Sequence, residues 1–201
     1  MRIENHRLLV SFIFWLVLVQ SAKSVKADFP EQLYQRGLIE LRSGRTESAT
    51  HLFRQSIEAD DDFAKSHGAI GTIYLQAGEL GLAELHLLKA VELDGYLEQA
   101  QLNLAHLYKS TNRTNLAIST YNHLVEQPVG ISSTSQNRAY IGLATIYHKR
   151  SDYSKAITSY QKALKISASA PSVITNLAAC YEAINQLDQA IKGYKSALEI
   201  D

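Results

Sequence analysis

The stretch from Ala139 to Ile166, AYIGLATIYHKRSDYSKAITSYQKALKI, carries the pattern that the rest of the chain repeats. Tyr140, Leu143, Ala144 and Tyr147 follow one another three, one and three residues apart. After a polar turn, Ala156, Tyr160, Ala163 and Leu164 follow four, three and one apart. Apolar residues three and four apart make one stripe of an α-helix. The pattern therefore predicts two short amphipathic helices joined by a turn. Neither helix can bury its stripe alone, so the pair needs neighbours.

The chain supplies them. Small residues in the first helix, Gly37, Gly71, Ala105, Ala144 and Ala178, are spaced 34, 34, 39 and 34 apart. Small residues in the second helix, Ala49, Ala83, Ala117, Ala156 and Ala190, keep the same spacings. Two independent landmarks on one period indicate a tandem array. Their residues resemble the tetratricopeptide repeat, whose signature is an aromatic, then Leu-Gly, then Tyr, then Ala and an aromatic in the second helix. Leu104, Ala105, Tyr108, Ala117, Tyr121 and Pro128 match, as do Leu177, Ala178, Tyr181, Ala190 and Tyr194. The second repeat keeps Ile70, Gly71, Tyr74 and Ala83, with Leu87 for the aromatic. The first is most divergent: Gly37, Ala49 and Phe53 fit, but Arg36 and Glu40 replace Leu and Tyr. The resemblance implies an all-α fold, an α-solenoid of five helix pairs wound as a right-handed superhelix. The repeats read as 30–63, 64–97, 98–136 with an insertion, 137–170 and 171–201.

Gly or Ala at the landmarks lets paired helices approach closely, so a larger side chain there overpacks the contact. The turns carry helix-stopping and capping types: Ser43-Gly44, Ala77-Gly78-Glu79, Thr111-Asn112, Ser151-Asp152 and Asn185-Gln186. Five additional residues separate repeats three and four, and QPVGISSTSQ (127–136) reads as an exposed loop. At the other end, Leu187, Ile191, Tyr194 and Leu198 are expected to form an apolar face for self-association.

Composition changes the picture little. Lys plus Arg equals Asp plus Glu, 20 each, so there is no basic field for nucleic acid. The N-terminus is different. Arg2 and Arg7 precede the apolar run Leu8–Val19, and a polar segment with small residues ends at Ala27. That layout predicts a secretory signal peptide over 1–27, cleaved after Ala27; the alternative is a membrane anchor. The apolar run is short of the roughly 20 residues that span a bilayer. Cleavage removes four bases and one acid and leaves net −3. The expected location is an exported one, a secretory lumen, the extracellular space or a periplasm. The lone Cys180 excludes an intrachain disulfide and reads as a packed thiol. Asn112-Arg113-Thr114 is a candidate N-glycosylation acceptor in a turn.

No nucleophile–base set, phosphate-binding glycine loop or metal-ligand spacing is present, so the chain reads as non-catalytic, without cofactor or metal. His67 takes an anchor position and is expected to pack; His51, His86 and His123 fall at polar positions of second helices. His106 and His148 project from first helices, and two ligands without a third make a poor metal site. The resemblance implies a partner groove lined by first helices. Its candidates are Gln99, Leu102, Asn103, His106, Lys109, Arg138, Ile141, Thr145, His148, Lys149, Thr175, Asn176 and Glu182. Lys109, Arg138 and Lys149, with His106 and His148, form a basic stretch suited to an acidic segment of a protein partner. Asn103 and Asn176 share one register position, where long superhelices of the O-linked N-acetylglucosamine transferase type carry an asparagine ladder. Here Gln35, Ala69 and Gly142 break it. The residues also depart from the clamp of chaperone-tail-binding repeats. The function implied is an interaction scaffold. The alternatives are the recognition part of a longer, glycosyltransferase-like enzyme, or a self-stacking structural subunit.

Overall fold

A computed structural model describes residues 29–127 and 130–200. Among them the chain is all-helical. The helices are α1 (29–42), α2 (Thr46–Ala59), α3 (Ala64–Ala77), α4 (Leu80–Leu93), α5 (Glu98–Ser110), α6 (Thr114–Val125), α7 (Ser133–Lys149), α8 (Tyr153–Ile166), α9 (Pro171–Ala183) and α10 (Leu187–Ile200). The expected leader and its cleavage at Ala27 lie outside the described residues. No described helix is long and apolar enough to cross a membrane.

Each predicted inter-helix turn contains one left-handed residue: Gly44, Gly78, Asn112, Ser151 and Asn185, with φ of 76°, 79°, 61°, 59° and 62°. Glycine and asparagine tolerate that region best, which explains their recurrence at these turns. Asp152 then caps α8, its carboxylate accepting from the Lys155 N–H at 3.4 Å.

The helices form two compact units, one ending at Asp94 and the other beginning at Gly95. In the first, α2 packs on α3 and α3 on α4. Phe53 lies over Gly37, where a Cβ would come within 2.5 Å of its ring, and Leu87 lies over Gly71, where a Cβ would meet its Cγ at 2.8 Å. Tyr34, Leu38 and Leu41 of α1 join this core. A buried polar relay ties three helices: the Ser66 hydroxyl donates to Ser56 Oγ at 2.8 Å, and Ser56 donates to the Pro30 carbonyl at 2.9 Å. Of the departures from the repeat pattern, Arg36 is exposed and Glu40 half-buried, and the Glu40 carboxylate accepts from Arg45 at 2.5 and 3.0 Å.

His67 packs, as its anchor position predicts, but His86 is not a solvated polar residue. It is half-buried, and its Nδ1 lies 3.1 Å from Nδ1 of His67. The other nitrogen of His67, Nε2, is 3.2 Å from the Asp61 carbonyl oxygen. A carbonyl only accepts, so His67 donates from Nε2, and its Nδ1 accepts from His86 Nδ1–H. Tyr74 stacks on His86 with ring centroids 5.7 Å apart, and Arg54 donates to the Tyr74 hydroxyl at 2.8 Å. Burial, then His67 and Arg54, hold the His86 pKa below its ordinary value.

In the second unit, α5 packs on α6, α6 on α7, α7 on α8, α8 on α9 and α9 on α10. Ala144, Ala156, Tyr160, Ala163, Val173 and Cys180 form an apolar cluster there. Cys180 is buried, as expected, and burial raises its thiol pKa. Of the predicted exposed loop 127–136, residues 127 and 130–132 lie outside helices, whereas 133–136 are helical and lengthen α7 to 17 residues. Ser132 caps that helix by accepting from the Ser135 N–H at 3.2 Å. The Glu98 carboxylate in turn accepts from the Ser132 N–H at 2.7 Å and its hydroxyl at 2.5 Å. The insertion is thus an added helical turn fastened to α5. At α10, Leu187, Ile191 and Leu198 are exposed, but Tyr194 is half-buried, and its hydroxyl donates to Glu182 at 2.7 Å.

Two predictions follow from this packing. A Cβ at Gly142 would come within 2.4 Å of the buried Tyr121 ring, whereas at Gly81 it would meet nothing within 4 Å. Gly142→Ala is therefore expected to lower stability by about 1–3 kcal/mol, and Gly81→Ala to raise it by up to about 1 kcal/mol, as read by urea denaturation. The second concerns pH. His86 has a lower pKa folded than unfolded, so between those values the unfolded chain binds more protons. Stability is then full above the ordinary histidine pKa of 6.5 and falls as pH drops through the folded value. The urea midpoint of the native chain should decrease between about pH 7.5 and pH 5.5, and less so in His86→Gln.

Candidate functional site

The predicted lining residues of α5 and α7 come together in the second unit, where these two helices pack against each other. Their spacing on each helix explains this. Gln99, Leu102, Asn103, His106 and Lys109 recur at three and four, as do Arg138, Ile141, Thr145, His148 and Lys149. Gln99 and Lys149 are exposed, as are His106 and Arg138, while Lys109, Ile141, Thr145 and His148 are half-buried.

Two candidates are placed differently from the expectation. Leu102 is only 3% exposed and Asn103 only 7%, so neither presents its side chain at an open surface. The apolar Leu102 gains more from burial than from solvent. Asn103 is held inside by hydrogen bonding: its Oδ1 accepts from Gln99 Nε2 at 2.8 Å. Gln99 Oε1 in turn accepts from Arg138 Nη1 at 3.0 Å. A chain of side chains thus runs from buried Asn103 through Gln99 to the Arg138 guanidinium, fixing an exposed cation from below. Asn176, at the register position of Asn103, is exposed on α9, so the two asparagines do not present matching amides. Beside it, the Thr175 hydroxyl donates back to the Pro171 carbonyl at 3.0 Å. Likewise the Thr145 hydroxyl donates to the Ile141 carbonyl at 2.8 Å.

The electrostatics of the α5–α7 surface are one-sided. Although its side chain reaches solvent, partial desolvation at its base, then Lys109 and Arg138, lower the His106 pKa. That of Lys109 is lowered by burial, then by Lys149. In each case the neighbouring charges that act are positive. Tyr121 packs beneath Gly142, and its hydroxyl is pushed up to about 12 by burial, with Arg138 acting in the opposite sense. His148 sits edge-on to Tyr153, 5.8 Å between ring centroids, and is not drawn into a ligand set with His106. Among the described residues no three His, Cys, Asp or Glu side chains converge to hold a metal. Asn112, the glycosylation candidate, is exposed in the α5–α6 turn and lines an open cleft of about 490 Å³ with Arg113, Thr114, Asn115, Leu116 and Arg150.

The Arg138–Gln99–Asn103 chain joins residues 39 positions apart across the insertion, and no local pattern signals it. The Ser132 cap did carry a signal, since serine is favoured just ahead of a helix.

Helix pairs of this kind, stacked through small residues, define an all-α solenoid. Sequence-family models described as tetratricopeptide repeat match residues 34–98, 98–127 and 135–201, together most of the chain. The chain belongs to the tetratricopeptide-repeat family. A TPR repeat-containing protein of Methanocaldococcus jannaschii is 26% identical over 182 residues, 86% of this chain and 31% of that protein. The chain therefore spans about a third of the length of that relative. Among solved structures, MamA superposes with a TM-score of 0.72 at 23% identity, over 82% of this chain and 93% of that one. PilF of Pseudomonas aeruginosa gives 0.76 at 19% identity, over 88% and 78%. MamA of Desulfovibrio magneticus RS-1 gives 0.72 at 16% identity, over 86% and 95%. At these identities the likeness is one of fold.

Proposed function

We propose that this protein is a non-catalytic interaction scaffold that holds an acidic segment of a partner protein against α5 and α7. The observation that carries this reading is the grouping of His106, Lys109, Arg138 and Lys149, in which the charges acting on His106 and Lys109 are all positive. Like charges held together on a folded surface favour an anion that relieves their repulsion. Arg138, oriented by Gln99, offers a directed donor, and the two lysines offer adaptable ones. Family membership supports the general role, since repeats of this fold characteristically bind protein segments.

The leader pattern of residues 1–27 supports action after export, with the mature chain beginning at Asp28. In a eukaryotic secretory pathway Asn112 would be glycosylated. A second reading is that these repeats are the recognition part of a longer enzyme; the archaeal relative, itself described only as repeat-containing, is about three times as long as the matched stretch.

Three measurements test these statements. Lys109→Glu with Lys149→Glu should weaken binding of a glutamate-rich extended peptide about tenfold or more, and flatten its salt dependence in fluorescence anisotropy. Unchanged affinity would remove the proposed site. Binding should also tighten as pH falls below 6.5, because His106, held below that value, then gains a charge beside Lys109 and Arg138; His106→Gln should abolish this pH response. Intact mass of the protein from its native cell should correspond to a chain starting at Asp28. A mass retaining residues 1–27 would refute cleavage, and one far above 22.4 kDa without glycan would favour the longer-enzyme reading.

A further inference from the structure

The same three register positions are built differently in the two units. In the first unit, Gln35 Nε2 donates to the Glu31 carboxylate at 2.7 Å, and Lys65 Nζ donates to that carboxylate at 2.9 Å. In the second unit the equivalent residues are Asn103, Gln99 and Arg138. There Gln99 Nε2 donates to Asn103 at 2.8 Å, and Gln99 Oε1 accepts from Arg138 at 3.0 Å. Both arrangements orient a cation. Only the first neutralises it, because Glu31 carries a charge and Gln99 does not. The bonds from Gln35 and Lys65 hold the Glu31 carboxyl below its ordinary pKa, so that pair is ionised at neutral pH. Arg138 keeps its charge, and it has more N–H donors than the one given to Gln99. A guanidinium fixed in this way suits a planar carboxylate.

A second cationic point lies at the other end of the same two helices. Gln99 meets Arg138 near the starts of α5 and α7, and Lys149 acts on Lys109 near their ends, so the two helices run parallel. Both lysines occupy last turns, where a helix favours a cation. Among the described residues no carboxylate is ion-paired with Arg138, Lys109 or Lys149. Arg138 and Lys149 are eleven residues apart on α7, about 16 Å along the helix axis. Between them the half-buried Ile141 and Thr145 make an uncharged stretch. An extended segment advances about 3.3 Å per residue and turns alternate side chains to one face. Its residues i and i+4 share a face and lie about 13 Å apart, whereas i and i+6 overshoot at about 20 Å. The flexible lysine stems cover the small remainder. Residue i+2 then faces Ile141 and Thr145.

We propose that the α5–α7 surface reads an extended partner segment at two points, with acidic residues at i and i+4 and an uncharged residue at i+2. One carboxylate meets Arg138, and the other lies between Lys109 and Lys149. This inference rests on the acidic-segment reading above and adds the conformation and spacing of the segment. Gln99 is the positioning residue, since it orients Arg138 without neutralising it.

The test uses short peptides of equal charge, each with two glutamates on a serine and threonine background. The glutamates are two, four, six or eight positions apart, and both termini are capped so that no terminal charge contributes. In fluorescence anisotropy with the full chain, the four-position peptide should bind about fivefold more tightly than the others. Gln99→Glu, which copies the Glu31–Lys65 pair, should flatten this preference and leave weak binding through the lysines. Gln99 is exposed, so the fold tolerates the change. Equal affinity at every spacing, or a maximum at another spacing, would overturn the proposal. If Lys109→Glu with Lys149→Glu still weakened binding in that case, the acidic-segment reading would stand without it. A preference for four positions that persisted in Gln99→Glu would also overturn the proposal. Absence of binding by every peptide would overturn both.

Discussion

Close approach between paired helices is the constraint on which the rest of this structure depends. At the landmarks a first helix offers Gly or Ala and a second helix offers Ala. Within pairs Phe53 covers Gly37 and Leu87 covers Gly71, and between successive pairs Tyr121 covers Gly142. Ala144 and Ala156 are fully buried beside Tyr160. Interiors are packed nearly as densely as organic crystals, so small and large residues must alternate where helices meet. This requirement sets the period, because a pair can stack on the next only if its anchors recur at the same height.

The same constraint frees the remaining positions. Once the stripes are buried, the outward residues of each helix are available for other contacts. On α5 and α7 they become a cationic surface organised by the Arg138–Gln99–Asn103 chain. On α4 they become the exposed Leu82, Leu85 and Leu88. Both surfaces are departures from a repeat that would otherwise present ordinary polar residues. Their physical basis differs, however. The first depends on charges held near one another at partial burial, the second on apolar area left in water.

The insertion between repeats three and four shows how a length change is absorbed. After a short loop, residues 133–136 prolong α7, and Glu98 takes up the new N-terminus through Ser132. A helical turn satisfies its own backbone groups, and a serine cap with a carboxylate beneath it satisfies the first of those left over. The added turn enters the chain just ahead of Arg138, the residue that reaches back to Gln99 on α5.

The sequence by itself determined the helices, their pairing, the positions of the turns and the small-residue core of each pair. All follow from local periodicity and residue size: Ala49, Ala83, Ala117, Ala156 and Ala190 are buried because no larger residue fits at that spacing. The basic stretch on α5 and α7 was legible too, since residues three and four apart share a helix face. The tertiary structure alone decided which lining candidates turn inward. Leu102 and Asn103 occupy the same helix as His106 and Lys109, but neighbouring helices bury the first two. Only packing revealed that His86 meets His67 and that Glu98 holds Ser132. Those contacts join positions distant in sequence, and period measures only the repetition within the chain, not which side chains meet across it.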